Sequence, residues 1–230
     1  MSTPSDQTPP QRHDRDADDT LHPAHVYANQ RDWENYFRAV DRSKPRDTLL
    51  LALSKFDEEG MTRHGARHAV DLGAGEGRDT AELLRRSWRV TAIDAHPKSA
   101  ELIRTRPDLQ SDAALTIVQA AMEDAEIPEC DLVNCSFTLP FCLPDRFESL
   151  WHRIALAIRP GGRFAGQLFG DRDTWAPIPD RTHHTVQQAR ALLGRAGLVP
   201  ELFREDESDA ADAEGNPKHW HVFHIVARKV

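Results

Sequence analysis

The sequence predicts an α/β domain built on a mostly parallel, doubly wound sheet, and three observations carry that prediction. Short apolar runs near residues 69–72, 90–93, 115–118, 130–134 and 164–169 alternate with stretches whose apolar residues recur at helical spacing. The first run ends in Asp71 and passes through Gly73, Gly75 and Gly77 into a helix. Such a turn presents free N–H groups and a positive dipole end to whatever lies on it. The second run ends in another acid, Asp94, placed 21 residues beyond Gly73. An acid at that strand end can accept hydrogen bonds from ribose hydroxyls.

The elements follow in order. Residues 1–25 are rich in Pro, Asp, Thr and Gln and poor in large apolar side chains, so they are expected to be a disordered tail outside the 26–230 domain. Residues 26–60 are expected to form a helical cap. From Tyr27 to Val40 the apolar residues Trp33, Tyr36, Phe37 and Val40 fall at helical spacing, and Pro45 opens a second helix with Leu49, Leu50, Leu53 and Phe56 inward. After the glycine loop, Thr80, Leu83 and Leu84 form the buried side of a crossover helix, and Arg89–Asp94 is the second strand. Lys98–Ile103 starts the next helix, Leu115–Val118 is the third strand and Cys130–Asn134 the fourth. Asp145 with Glu148 reads as a helix start ahead of the stripe Phe147, Leu150, Trp151, Ile154, Ile158. Residues 159–163, Arg-Pro-Gly-Gly-Arg, feed a fifth strand over Phe164–Phe169. Thr185 and Gln188 make a capping box, with Gly197 after that helix. Leu198–Arg204 and Trp220–Arg228 read as a strand pair joined by an acidic loop.

The glycine spacing discriminates among nucleotides. A dinucleotide fingerprint places its third glycine where this chain has Arg78, which counts against NAD; no Gly-Lys-Ser/Thr ending suggests ATP or GTP. The string Val-Asp-Leu-Gly-Ala-Gly-Glu-Gly-Arg, with Asp94 and the Ile-Arg-Pro-Gly-Gly turn at 158–162, resembles the class I S-adenosylmethionine-dependent methyltransferases, and among them the small single-domain, tellurite-resistance-like group. The resemblance implies a Rossmann-like, seven-stranded sheet, helices on both faces, and an antiparallel C-terminal hairpin beside the fifth strand. It also implies an S-adenosyl-L-methionine site made by Asp71, Gly73, Gly75, Gly77 and Asp94, with Asn134 near the methionine end. The acid that the family places near adenine falls on Ala121 here. Met122, suited to a ring face, and Glu123 or Asp124 are therefore the candidates for that contact. A lid over the cofactor is expected from Trp33, Tyr36 and Phe37. Trp33, Tyr36, Phe137 and Arg172 are the candidate acceptor-binding residues.

Methyl transfer from a sulfonium needs alignment and exclusion of water, and a base only where the acceptor must lose a proton. His183 and His184 follow the loop that leaves the fifth strand and are the candidate bases. His219 and His221 share one face of the last strand and read as a structural pair rather than a metal site, with His224 on the other face. Cys135 lies near the expected acceptor pocket as a small buried hydrophobe. The net charge of −8 concentrates in residues 1–20 (−3) and 201–214 (−6), which read as solvated flanks, and no basic stripe suits nucleic acid. No run is long enough for a membrane helix and no signal-peptide core is present; Cys130, Cys135 and Cys142 suit a reducing compartment, so a cytoplasmic enzyme acting on a small molecule is expected. An NAD-dependent oxidoreductase and a non-catalytic adenosyl-ligand-binding protein are the alternatives.

Overall fold

The computed structural model describes residues 28–41, 43–60, 66–109, 114–211 and 217–230. The expected tail and the helix start at Tyr27 lie outside them. The elements are α1 (Trp33–Val40), α2 (Asp47–Glu59), β1 (His68–Leu72), α3 (Arg78–Arg85), β2 (Arg89–Asp94), α4 (Ser99–Arg104), β3 (Leu115–Gln119), β4 (Cys130–Cys135), a one-turn 3-10 helix (Leu139–Phe141), α5 (Pro144–Ala157), β5 (Ile158–Gly170), β6 (His183–His184), α6 (Val186–Arg195), β7 (Leu198–Ala211) and β8 (Pro217–Lys229).

The strands form one sheet in the order β3-β2-β1-β4-β5-β8-β7, with the two-residue β6 paired to the end of β5. The first five strands run parallel, while β8 lies antiparallel to both β5 and β7. This is the Rossmann-like architecture with a C-terminal hairpin. Its order reverses between β1 and β4, so a crevice opens beyond their carboxyl ends, where ligands of such sheets bind.

Alternation along the strands sorts side chains between two apolar layers. Ala69 and Leu132 join Leu49, Leu53 and Phe56 of α2 on one face. Val70, Leu72 and Val133 join Phe147, Leu150, Trp151 and Ile154 of α5 and Leu192 of α6 on the other. Each large side chain so buried contributes about 1.5–3 kcal/mol. The Trp151 indole ties α5 to α6 by donating to the Leu192 carbonyl at 3.1 Å. One ion is buried among these residues: Arg163, 1 % exposed, is held by Glu201 at 2.6 Å and Glu59 at 2.6 Å.

Several boundaries differ from the sequence reading. Arg31 takes a positive φ and breaks the first helical stretch, and Asp32 then caps α1 through Asn35 N–H. Pro144 at the first helical position, not Asp145, opens α5. β5 begins at Ile158, because the Arg-Pro-Gly-Gly segment stays in the ladder beside β4 with a register shift. The largest difference is the hairpin. The acidic segment is strand through residue 211, laddered against β8, rather than a solvated loop. Its carboxylates find partners on β8 and in the turn after β5. Arg172 contacts Glu205 and Glu207, His221 lies 2.9 Å from Glu205, and His219 lies 2.8 Å from Asp209. The loop around Gly215 and Asn216 lies outside the described residues.

Candidate functional site

A cavity of about 820 Å³ opens at the carboxyl ends of β1, β2 and β4 and reaches across to β7 and β8. It lies near the upper end of the ~300–1,000 Å³ range of small-ligand sites. One flank is the glycine loop, whose Gly73 and Ala74 amides donate to the Ile93 carbonyl at 2.7 and 3.1 Å. Gly73 has a φ of 74°, and a Cβ there would lie 2.2 Å from the Thr138 hydroxyl oxygen, so only glycine lets the two loops meet. Asp94 stands at the end of β2, its two oxygens accepting from the Gly75 and His96 amides at 2.8 Å each. Burial pushes its carboxyl up, and those two amides oppose the shift.

Two further carboxylates meet at the bottom. Asn134 lies opposite Asp71 in the β1–β4 register and donates to Asp71 at 2.9 Å and to Asp79 at 3.0 Å. Thr80 donates to Asp71 at 2.6 Å, and Ser136 to Asp79 at 2.6 Å. Burial first, and then the neighbouring Asp79, raises Asp71 to about 7. Arg78 already faces this pair, 3.5 Å from Asp79, and two buried acids so close together favour positive charge beside them. Arg46 arrives from the start of α2: its amide donates to Asp79 at 3.1 Å and its guanidinium lies 4.6 Å over the Phe137 ring. Its buried Nε has no hydrogen-bond partner among the described residues.

The structure brings Asp71, Gly73, Gly75, Asp94, Met122 and Glu123 to this cavity, and with them Trp33, Tyr36 and Phe137. Other candidates stand elsewhere. Gly77 caps α3 and makes room for Ile103, which would lie 2.7 Å from a Cβ, so it shapes the loop from behind. Asn134 acts through the two acids and does not line the cavity. Arg172 lies on the outer face of the hairpin, taken up by Glu205 and Glu207. Cys135 is fully buried in the core, its thiol pushed up by burial.

His183 and His184 also fall outside the lining, which corrects their reading as bases. β6 pairs with the end of β5, and its two successive residues face opposite ways: His184 packs 4.7 Å from Phe147 of α5, while His183 packs 5.7 Å from Phe169, itself a lining residue. Burial, and then His183, pulls His184 down to about 4. A histidine whose folded-state pKa is depressed contributes stability at pH above its unfolded value of about 6.5 and loses it as pH falls. Thermal unfolding followed from neutral pH towards pH ~4 should therefore lose on the order of 3 kcal/mol through this group. His184→Phe should flatten that loss; an unchanged acid profile would contradict the assignment.

Sequence reasoning missed Arg46, Asp79, Ser136, Asp206 and His224, all of which line the cavity. Asp79 had a signal, being an acid in the first turn of the helix that the glycine loop opens. Ser136 sat in a stretch already expected to line the floor. The other three come together only once the hairpin register is known.

Glycine loop, strand-end acid and sheet order together are those of a Rossmann-like nucleotide-binding sheet. Residues 69–162 match the family model described as a methyltransferase domain. Over that stretch the chain is similar to this family, and its fold is similar to that of the TehB-like methyltransferases. Among solved structures, TehB from Haemophilus influenzae superposes with a TM-score of 0.67 at 16% identity, over 86% of this chain and 67% of that one. The Burkholderia thailandensis 1,6-didemethyltoxoflavin-N1-methyltransferase, solved with 1,6-didemethyltoxoflavin and S-adenosylhomocysteine, does so at 0.59 and 22% identity, over 93% of both chains. At these identities the likeness is one of fold. Among curated proteins, carboxy-S-adenosyl-L-methionine synthase of Vibrio parahaemolyticus is 27% identical over 54% of this chain and 52% of its own length. The Erwinia tasmaniensis protein of the same name is 26% identical over 74% of each. The chain thus spans about half the length of the first of these relatives. No helix among the described residues is long and apolar enough to cross a membrane.

Proposed function

We propose that this protein is an S-adenosylmethionine-dependent methyltransferase acting on a small-molecule acceptor. The observation that carries the reading is the charge pattern along one crevice: a strand-end carboxylate at one end, and at the other a buried acid pair beside Arg46, whose Nε has no hydrogen-bond partner among the described residues. An adenosyl amino acid has the matching groups. Asp94 would take the ribose hydroxyls, Met122 and Ala121 the adenine face, and Glu123 the adenine edge. Asp71 and Asp79 suit the ammonium group and Arg46 the carboxylate.

When bound, the cofactor supplies a methyl group already activated on a sulfonium. The chain's own task is then to align the acceptor and exclude water. Trp33 and Tyr36 of α1 cover the crevice; Lys98 to Glu34 at 2.6 Å and Arg31 to Asp180 at 3.0 Å fasten that cover. The ligand named with the Burkholderia structure and the names of the curated relatives share the adenosyl group, which supports the cofactor and leaves the acceptor to the chain's own pocket. The three free, buried thiols favour a cytoplasmic setting. We take residues 26–230 as the catalytic domain. The test is turnover: the protein incubated with S-adenosylmethionine and a panel of phenols, N-heterocycles and thiols should release S-adenosylhomocysteine together with a methylated product. Release with none of them would contradict the acceptor class.

A further inference from the structure

The acceptor end of the cavity has its own architecture. Parity in the hairpin puts Trp220, Val222 and His224 of β8, with Asp206 and Ser208 of β7, on the cavity face. The remaining walls there are aromatic. Trp33 meets Phe141 edge-on at 5.0 Å, Phe169 meets Trp175 at 5.8 Å, and Trp175 meets Trp220 at 5.4 Å. A chamber walled by ring faces and edges selects a planar ring by stacking and edge contacts. Lys218, hydrogen-bonded to Asp173 and 4.2 Å from the Trp220 ring, braces this wall from behind.

Among the described residues two imidazoles line the cavity, His96 beside Asp94 and His224 on the hairpin wall. The His224 ring is 6.1 Å from Phe137, which follows Ser136 and so adjoins the Asp71–Asp79 pair. Its Nε2 lies 3.4 Å from Asp206 Oδ2. The charged groups facing it are Arg204 and Asp206 from β7, Arg46 from the approach to α2, and Asp47 from its first turn. From β5, Gln167 stands opposite in the ladder, fixed by the Phe137 amide at 2.9 Å and by Thr48 at 3.0 Å. Burial is the largest influence on His224 and pulls its pKa down, with Arg204 and Arg46 adding to that and Asp206 and Asp47 opposing it. The imidazole is therefore neutral at physiological pH, as a base must be.

We propose that the acceptor is a planar aromatic compound bearing an acidic O–H or N–H, and that His224 takes its proton while the nearby Asp206 charge favours the imidazolium so formed. The inference rests on the methyl-transfer reading above. Asp206, which accepts from Arg204 Nε at 2.9 and 3.0 Å, places its negative charge 3.4 Å from Nε2; in the tautomer protonated at Nε2, Nδ1 carries the free electron pair. The acceptor's O–H or N–H bond breaks, its proton goes to Nδ1, and its electron pair stays on the acceptor atom. That pair forms the bond to the methyl carbon, and the old carbon–sulfur pair leaves on sulfur as a neutral thioether. The imidazolium, stabilised by Asp206, later releases the proton to water. His224 is thus a catalytic residue and Asp206 a positioning residue.

The test uses para-nitrophenol, a planar acidic ring whose phenolate absorbs in the visible, with the full chain saturated in S-adenosylhomocysteine, so that no turnover occurs. Bound probe should show more phenolate than free probe at the same pH. His224→Gln should lower the bound phenolate fraction by about tenfold or more with S-adenosylhomocysteine affinity unchanged. Asp206→Asn should move the phenolate-against-pH curve in the direction of a weaker base without abolishing it. A probe that does not bind, or a phenolate fraction untouched in His224→Gln, overturns the proposal while leaving the cofactor reading standing. Failure of S-adenosylhomocysteine itself to bind overturns both.

Discussion

Asp94→Ala is expected to weaken S-adenosylmethionine binding by about 10- to 100-fold, measured by calorimetric titration, while the fold survives. Two oxygens of this carboxylate already hold the Gly75 and His96 amides, so the side chain is oriented before any ligand arrives. A hydrogen bond from a hydroxyl to such an anion is worth about 1.5–3 kcal/mol. The raised pKa of Asp94 shows that burying the charge costs the ligand-free protein stability. Its removal should therefore not unfold the chain. Affinity unchanged in Asp94→Ala would contradict the ribose role.

Arg163→Met should cost about 3 kcal/mol, seen as a fall in Tm of roughly 6–12 °C, with little direct effect on ligand affinity. The guanidinium lies in the interior, bound twice to Glu201 and twice to Glu59 and placed 4.5 Å over Phe56. Methionine fills the space but leaves the two acids facing each other without their cation. Both acids are partly exposed and can recover some hydration, so the expected cost sits at the low end of the range for breaking a buried pair. An unchanged Tm would mean that hydration alone satisfies Glu59 and Glu201.

The cofactor end of the site was legible because it is local. Asp71, Gly73 and Gly75 lie within five residues on one turn, and Asp94 is one βα unit away, so sequence spacing alone brings them together. The sheet order follows from the same alternation. The acceptor end was not legible, because it depends on register. One residue of slip along β8 would exchange the face of His221 with that of Val222. A register shift near Pro200 in β7 decides which acids look inward. Composition misled at the same place: the segment after Arg204 read as an acidic loop, yet Glu205, Glu207 and Asp209 of the strand find partners in Arg172, His219 and His221. His183 and His184 looked well placed by chain order, but pairing with β5 leaves both outside the cavity lining, His184 against Phe147 of α5 and His183 against Phe169.

The central claim is the cofactor, and calorimetric titration of S-adenosylmethionine, S-adenosylhomocysteine and NAD into the ligand-free protein tests it most directly. Micromolar binding of the first two with no heat from NAD is the predicted result. Binding of NAD alone would contradict the account, and with it the roles given to Asp71, Asp79 and Arg46.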